Sequence, residues 1–124
     1  MPQEVPGIVF FDEVEGFRDA HAQMVQLPAG ASKEQLMAAF AGALKLPAYF
    51  GFNWDALEEC LRDRLEAAQH LVVVHKDLPL AESPEDQRTY LQLLRDLARD
   101  DSPARFTAVF PEKVRSHVLE LAAG

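Results

Sequence analysis

One cysteine, Cys60, stands alone in a chain of 124 residues. A single thiol closes no internal disulfide, so the core must hold the fold, and the composition suits a reducing compartment. The cytoplasm is the expected location. No apolar run approaches the ~18 residues needed to cross a bilayer. The opening MPQEVPG also lacks the basic-then-apolar pattern of a secretory signal. Positive charge is scarce: twelve Lys and Arg face twenty Asp and Glu, for a net charge of −8. Non-specific binding to nucleic acid needs cations that meet phosphates, so this balance argues against a nucleic-acid binder. A basic protein is the compatible kind of partner, because opposite fields speed encounter.

Motifs of catalysis and ligand binding are missing as well. There is no P-loop, no G-x-G-x-x-G and no G-x-S-x-G. His21, His70, His75 and His117 are scattered, without helical pairing or metal-ligand spacing, so neither a metal nor a cofactor is expected. His70 and His75 bracket an apolar run and read as capping or solvent-exposed groups. Cys60 falls on a helical stripe with Leu57 and Leu61, which predicts a buried, inert thiol.

What is present organises into one α/β domain. Hydrophobic residues make up 48% of the chain, enough for a single core at this length. IVFF, from Ile8 to Phe11, is a candidate edge strand, and AQMVQL, from Ala22 to Leu27, a short strand. Ser32 and Gln35 form a capping box that opens a helix with Leu36, Phe40, Ala43 and Leu44 on one face. Pro47 ends that helix before Leu46. Asn53 is an N-cap for a second helix, Trp54 to about Glu66, with Leu57, Cys60, Leu61 and Leu65 as its buried stripe. HLVVVH, from His70 to His75, reads as a central strand covered on both sides. Ser83 and Pro84 cap and begin a third helix that runs to about Asp100. It buries Tyr90, Leu91, Leu94, Leu97 and Ala98. RFTAVF, from Arg105 to Phe110, is the last strand, and Pro111 starts a terminal helix carrying Val114, Val118 and Leu121. Strands separated by helices imply right-handed crossovers in a parallel sheet.

The most informative stretch is LPAYFGFNWDALEECLRDR, from Leu46 to Arg64. It sets Tyr49, Phe50, Phe52 and Trp54 beside Asp55, Glu58 and Glu59 where a loop turns at Gly51 and enters a helix. Two physical readings stand side by side. The aromatics can be core, with Asp55 stabilised by the helix dipole and Glu59 a solvated residue of the polar face. Alternatively, the stretch is a surface built to be covered by a partner. A third use needs Asp55 and Glu59 as a catalytic pair, since one turn sets them roughly 6 Å apart, near the ~5–5.5 Å of retaining glycosidases. A convex helix face offers no cleft for that chemistry.

LPAYFGFNWDALEECL, from Leu46 to Leu61, resembles the barstar family of ribonuclease inhibitors, whose signature is approximately L-P-x-Y-Y-G-x-N-x-D-A-L-x-D-x-L. Leu46, Pro47, Tyr49, Gly51, Asn53, Asp55, Ala56, Leu57 and Leu61 sit at matching positions, and a looser match runs from about Met24 to Phe110. The resemblance implies a short parallel three-stranded sheet of order 1-2-3 packed with helices, to which Ile8–Phe11 adds an edge strand. Residues 1–23 and 111–124 are then additions to the family core within one domain, 1–124. It also implies a function: blocking the basic cleft of a barnase-like, guanyl-preferring ribonuclease, with no catalysis of its own.

By position, Glu59 would be the deep anchor in the phosphate site, and Asp55 would meet a basic group near the base-recognition loop. Tyr49 would lie against a catalytic histidine, while Gly51 and Asn53 shape the loop. Phe52 and Glu58 flank these residues on the partner face, and the resemblance implies a further acidic contact on the third-helix face, at Asp96 or Asp100. The chain departs from the family pattern at Glu59, usually aspartate, at Phe52 and Trp54, commonly acidic and aliphatic, and at Arg64, where an aromatic ends the helix in the prototype. An immunity or regulatory module with a partner other than a ribonuclease is the alternative, and a small carboxylate enzyme a third possibility.

Overall fold

A computed structural model of the chain describes residues 5–47, 51, 53–99 and 104–123. In order these form β1 (Ile8–Phe11), β2 (Gln23–Leu27), α1 (Lys33–Leu44), α2 (Trp54–Ala68), β3 (His70–His75), α3 (Pro84–Ala98), β4 (Arg105–Pro111), a 3₁₀ turn (Glu112–Val114) and α4 (Arg115–Ala123).

The sheet has four parallel strands in the order β1-β4-β3-β2. Its last three strands are neighbours in chain order, as expected, and β1 adds a fourth at the β4 edge. The path explains where the covering elements lie. From β2 to β3 to β4 the chain steps in one direction across the sheet, so right-handed crossovers put their helices on one common face. From β1 to β2 it steps back across the whole sheet, and the same handedness sends that connection over the opposite face.

The two hydrophobic clusters follow this division. Val25, Leu27, Leu71, Val73, Phe106, Ala108 and Phe110 point to the helices, where they meet Leu36, Phe40, Leu57, Leu61, Tyr90, Leu94 and Val118. Val72, Val74 and Val109 point the other way and are covered by Val14 and Phe17 from the β1–β2 connection. β3 is central and buried on both faces, as its unbroken apolar run predicts. Gly7 enters β1 with φ +83, and a Cβ there would run into Ala98, so the junction requires glycine.

Local signals set the helix ends. The Ser32 hydroxyl accepts from the Gln35 amide, and the Gln35 side chain accepts from the Ser32 amide. Lys45 closes α1 in the left-handed conformation, two residues before Pro47. Ser83 caps α3 through the Asp86 amide, with Pro84 in the first turn.

Three burial expectations are corrected. Ala43 is exposed, and Met37 takes its place on the buried face of α1, because that face centres on Leu36, Met37, Phe40 and Leu44. Ala98, the last residue of α3, is only half-buried. His75 is fully buried rather than solvent-exposed. It continues the inward alternation of Leu71 and Val73, and this places its ring under the helices.

Candidate functional site

α2 holds the centre of the site, and its position is fixed from inside. Leu57, Leu61 and Leu65 are buried in the core, each worth about 1.5–3 kcal/mol of transfer free energy. Asn53 caps the helix in extended geometry, its Oδ1 accepting from the Ala56 amide at 2.8 Å. Trp54, the first helical residue, is tied laterally: its indole N–H donates to Asp86 Oδ1 at 3.2 Å, at the start of α3. The Trp54 ring lies 5.9 Å from the buried ring of Tyr90, and Lys33 Nζ sits 5.4 Å from its centroid. Trp54 is therefore a half-buried bridge between α1, α2 and α3 rather than a free contact residue.

With the leucine stripe inward, the carboxylates face out. Asp55 and Glu59 are exposed, one turn apart, and neither has a charge partner among the described residues. Glu58 is half-buried and engaged, accepting from Arg62 Nη2 at 3.0 Å. Asp96 is exposed on α3 and pairs with Arg95 at 3.3 Å, with no link to the α2 carboxylates. Gly51 and Asn53 are exposed at the helix start. Tyr49, Phe52 and Asp100 lie outside the described residues.

Cys60 corrects the expectation of a buried thiol. It is half-buried, at the edge of the leucine stripe. Its thiol pKa is raised, first by burial and then by the negative fields of Asp63 and Glu59, with Arg64 opposing. The thiol opens on a groove of about 360 Å³ beside α2. Leu46, Pro47 and Gly51 form one side of this groove. Ala56, Glu59, Cys60, Asp63, Arg64 and Ala67 form the other. Asp55 is not among the described residues that line it, so Asp55 and Glu59 do not share this groove.

Sequence reasoning missed the groove and two internal ties, Trp54 to Asp86 and His75 to Tyr90. Among the described residues no cluster of three or more His, Cys, Asp or Glu is placed to hold a metal ion, and no helix is long and apolar enough to cross a membrane.

The family model for Barstar (barnase inhibitor) matches residues 20–111. The chain belongs to the barstar family. The matched span runs from just before β2 to the end of β4 and takes in all of α1, α2 and α3. β1 and α4 fall outside it, yet both pack on the same sheet and helices as the barstar core. Among curated proteins and among solved structures the chain has no match.

Proposed function

We propose that this barstar-family chain inhibits a small, basic, barnase-like ribonuclease by laying the exposed face of α2 and its preceding loop into the enzyme's active-site cleft. One observation carries the reading. Asp55 and Glu59 stand one turn apart on a helix pinned by three buried leucines, exposed and without counter-ions among the described residues. A ribonuclease cleft holds RNA phosphates with Arg, Lys and His, and carboxylates on a rigid support can take the place of those phosphates. Rigidity matters because a preformed surface spends little of its binding free energy on ordering side chains.

Within this reading Glu59 is the anchor in the phosphate site and Asp55 engages a second basic group. Gly51 and Asn53 set the loop that carries Tyr49 and Phe52 to the enzyme, while Glu58 and Asp96 add negative charge at the rim. The inhibitor works in the cytoplasm as one domain and needs no cofactor.

The experiment is an inhibition titration: barnase cleaving an RNA substrate at increasing concentrations of this chain. Stoichiometric loss of cleavage supports the reading. Undiminished cleavage at micromolar inhibitor, for barnase and for a panel of related guanyl-preferring ribonucleases, contradicts it.

A further inference from the structure

The groove beside α2 has a charge pattern that the anchor role of Glu59 leaves unexplained. Glu59 and Asp63 are four residues apart, so both carboxylates stand on one flank of the helix and both line the groove. Like charges at this spacing repel, and neither carboxylate has a counter-ion among the described residues. Arg64, the one cation among the described lining residues, donates its Nη2 to the Leu44 carbonyl at 2.6 Å. That carbonyl lies at the C-terminus of α1, the negative end of the helix dipole. The fields of both carboxylates reach the Cys60 thiol and outweigh the opposing field of Arg64, which places all three charges around the same space with a negative balance. Leu46, Pro47, Ala56 and Ala67 add aliphatic surface among the described lining residues.

An aliphatic trough whose two flanking carboxylates have no counter-ion among the described residues matches a long side chain that is apolar along its stem and positive at its tip. We infer that this groove is a docking pocket for a lysine or arginine side chain of the partner protein, with Asp63 as the residue that selects it. The inference rests on the inhibitor reading for the identity of the partner, a basic ribonuclease. It adds a second point of engagement, outside the face formed by Asp55 and Glu59. Glu59 stands at the boundary and serves both, whereas Asp63 serves only the groove. The stem lies over the aliphatic wall, and the cation settles between Glu59 and Asp63.

Two measurements test this. Cys60 is the only cysteine, so thiol labelling reports on the groove alone. Its rate is measured with a trimethylammonium-ethyl and with a sulfonatoethyl methanethiosulfonate, reagents of similar reach and opposite charge. The same thiolate attacks the sulfenyl sulfur of either reagent and expels methanesulfinate, so the ratio of their rates, normalised to a small free thiol, reports the sign of the groove. A preference for the cation of about tenfold is expected, and Asp63→Asn should remove most of it, as for a charge interaction of about 1.4 kcal/mol. In the second measurement barnase is titrated with wild type, Asp63→Asn and Glu66→Gln, the last an exposed α2 carboxylate outside the groove. Asp63→Asn should weaken inhibition at least fivefold more than Glu66→Gln.

Equal rates for the two reagents, or faster labelling by the anion, overturn the inference. So does inhibition by wild type that Asp63→Asn leaves at the Glu66→Gln level, and in that case the inhibitor reading survives. If wild type does not inhibit barnase, the inhibitor reading fails for that enzyme and the labelling ratio alone decides the groove. A cation preference that depends on Asp63 then upholds it.

Discussion

Nε2 of His75 lies 2.6 Å from the hydroxyl of Tyr90, and both side chains are completely buried. Nδ1 of the same ring meets the Val109 carbonyl at 3.0 Å. A carbonyl only accepts, so Nδ1 carries the proton and Nε2 accepts from Tyr90. The imidazole stacks on Phe110 at 3.9 Å, and the Tyr90 ring lies under Trp54 at the start of α2. A satisfied polar pair in the core thus supports the helix that carries the acidic face. Tyr90→Phe keeps the ring and strands Nε2 without a donor, at a cost of about 1–3 kcal/mol in a buried site. Urea unfolding should show that loss. A change under about 0.5 kcal/mol would mean that the 2.6 Å contact contributes little.

Stability should also depend on pH through His75. Burial lowers its pKa to about 3, partly opposed by the Val109 hydrogen bond, whereas an unfolded imidazole titrates near 6.5. Between these values the unfolded chain binds the extra proton. Stability therefore falls as pH drops from about 6.5 toward 3, by up to about 1.4 kcal/mol per pH unit from this residue. Above about 6.5 the contribution is flat. His75→Gln should show a correspondingly shallower acid limb in urea midpoints taken between pH 7 and 4.5. Parallel limbs for the two proteins, or a His75 ring that titrates by NMR near pH 6, would contradict the assignment.

The cap on α2 is separable from its charges. Asn53→Ala removes the acceptor for the Ala56 amide and should cost about 0.5–2 kcal/mol. Asn53→Gly should cost only a few tenths, because glycine also accepts N-cap geometry. Thermal melts of the two variants decide this, and identical melting points would show that the side-chain cap is not the source of helix stability.

Much of this fold was legible in the chain. The capping box at Ser32, the cap at Asn53 and the Ser83–Pro84 pair are short-range signals, and each marks a helix start because a local hydrogen bond closes there. HLVVVH announced a central strand by the unbroken apolar run Leu71–Val74 between its two histidines. What escaped notice depends on contacts distant in sequence. Period-two alternation put His75 on the inward face with Leu71 and Val73. Its partners, Tyr90 and Val109, come from two later elements, and only packing reveals that the histidine is satisfied. Val14 and Phe17 showed no periodicity, because a connection crossing a sheet need bury only the residues that happen to face it. Cys60 sits at the margin of the leucine stripe, where helical spacing alone does not separate core from groove. The acidic face was readable because Asp55 and Glu59 lie opposite that stripe. Asp63 was read as part of the polar side, since its groove is completed by Leu46 and Pro47 from the preceding loop.

The encounter with a ribonuclease should be electrostatic. With a net charge of −8 on the inhibitor and a basic cleft opposite, the association rate should fall clearly between low and physiological salt, with a smaller change in dissociation. Stopped-flow mixing with barnase over an ionic-strength series measures both. A salt-independent association rate would assign the encounter to apolar contacts instead.

The most direct test of the inhibitor account compares two neighbouring glutamates. Glu59 is exposed and has no charge partner among the described residues, whereas Glu58 is already engaged with Arg62 and lies about 100° around the helix. If Glu59 enters the phosphate site, Glu59→Ala leaves several partner charges buried and uncompensated. Losing one member of such a desolvated pair costs about 2–5 kcal/mol, a range informed by the family's own prototype, barnase with barstar, and borrowed from it. At about 1.4 kcal/mol per decade this is at least about 30-fold in affinity. Exposed helical substitutions shift folding by under about 0.5 kcal/mol, so both variants should melt near wild type. Calorimetric titration into barnase should therefore show binding collapse for Glu59→Ala and weaken only modestly for Glu58→Ala. Equal, small losses for the two variants would contradict the anchor role of Glu59.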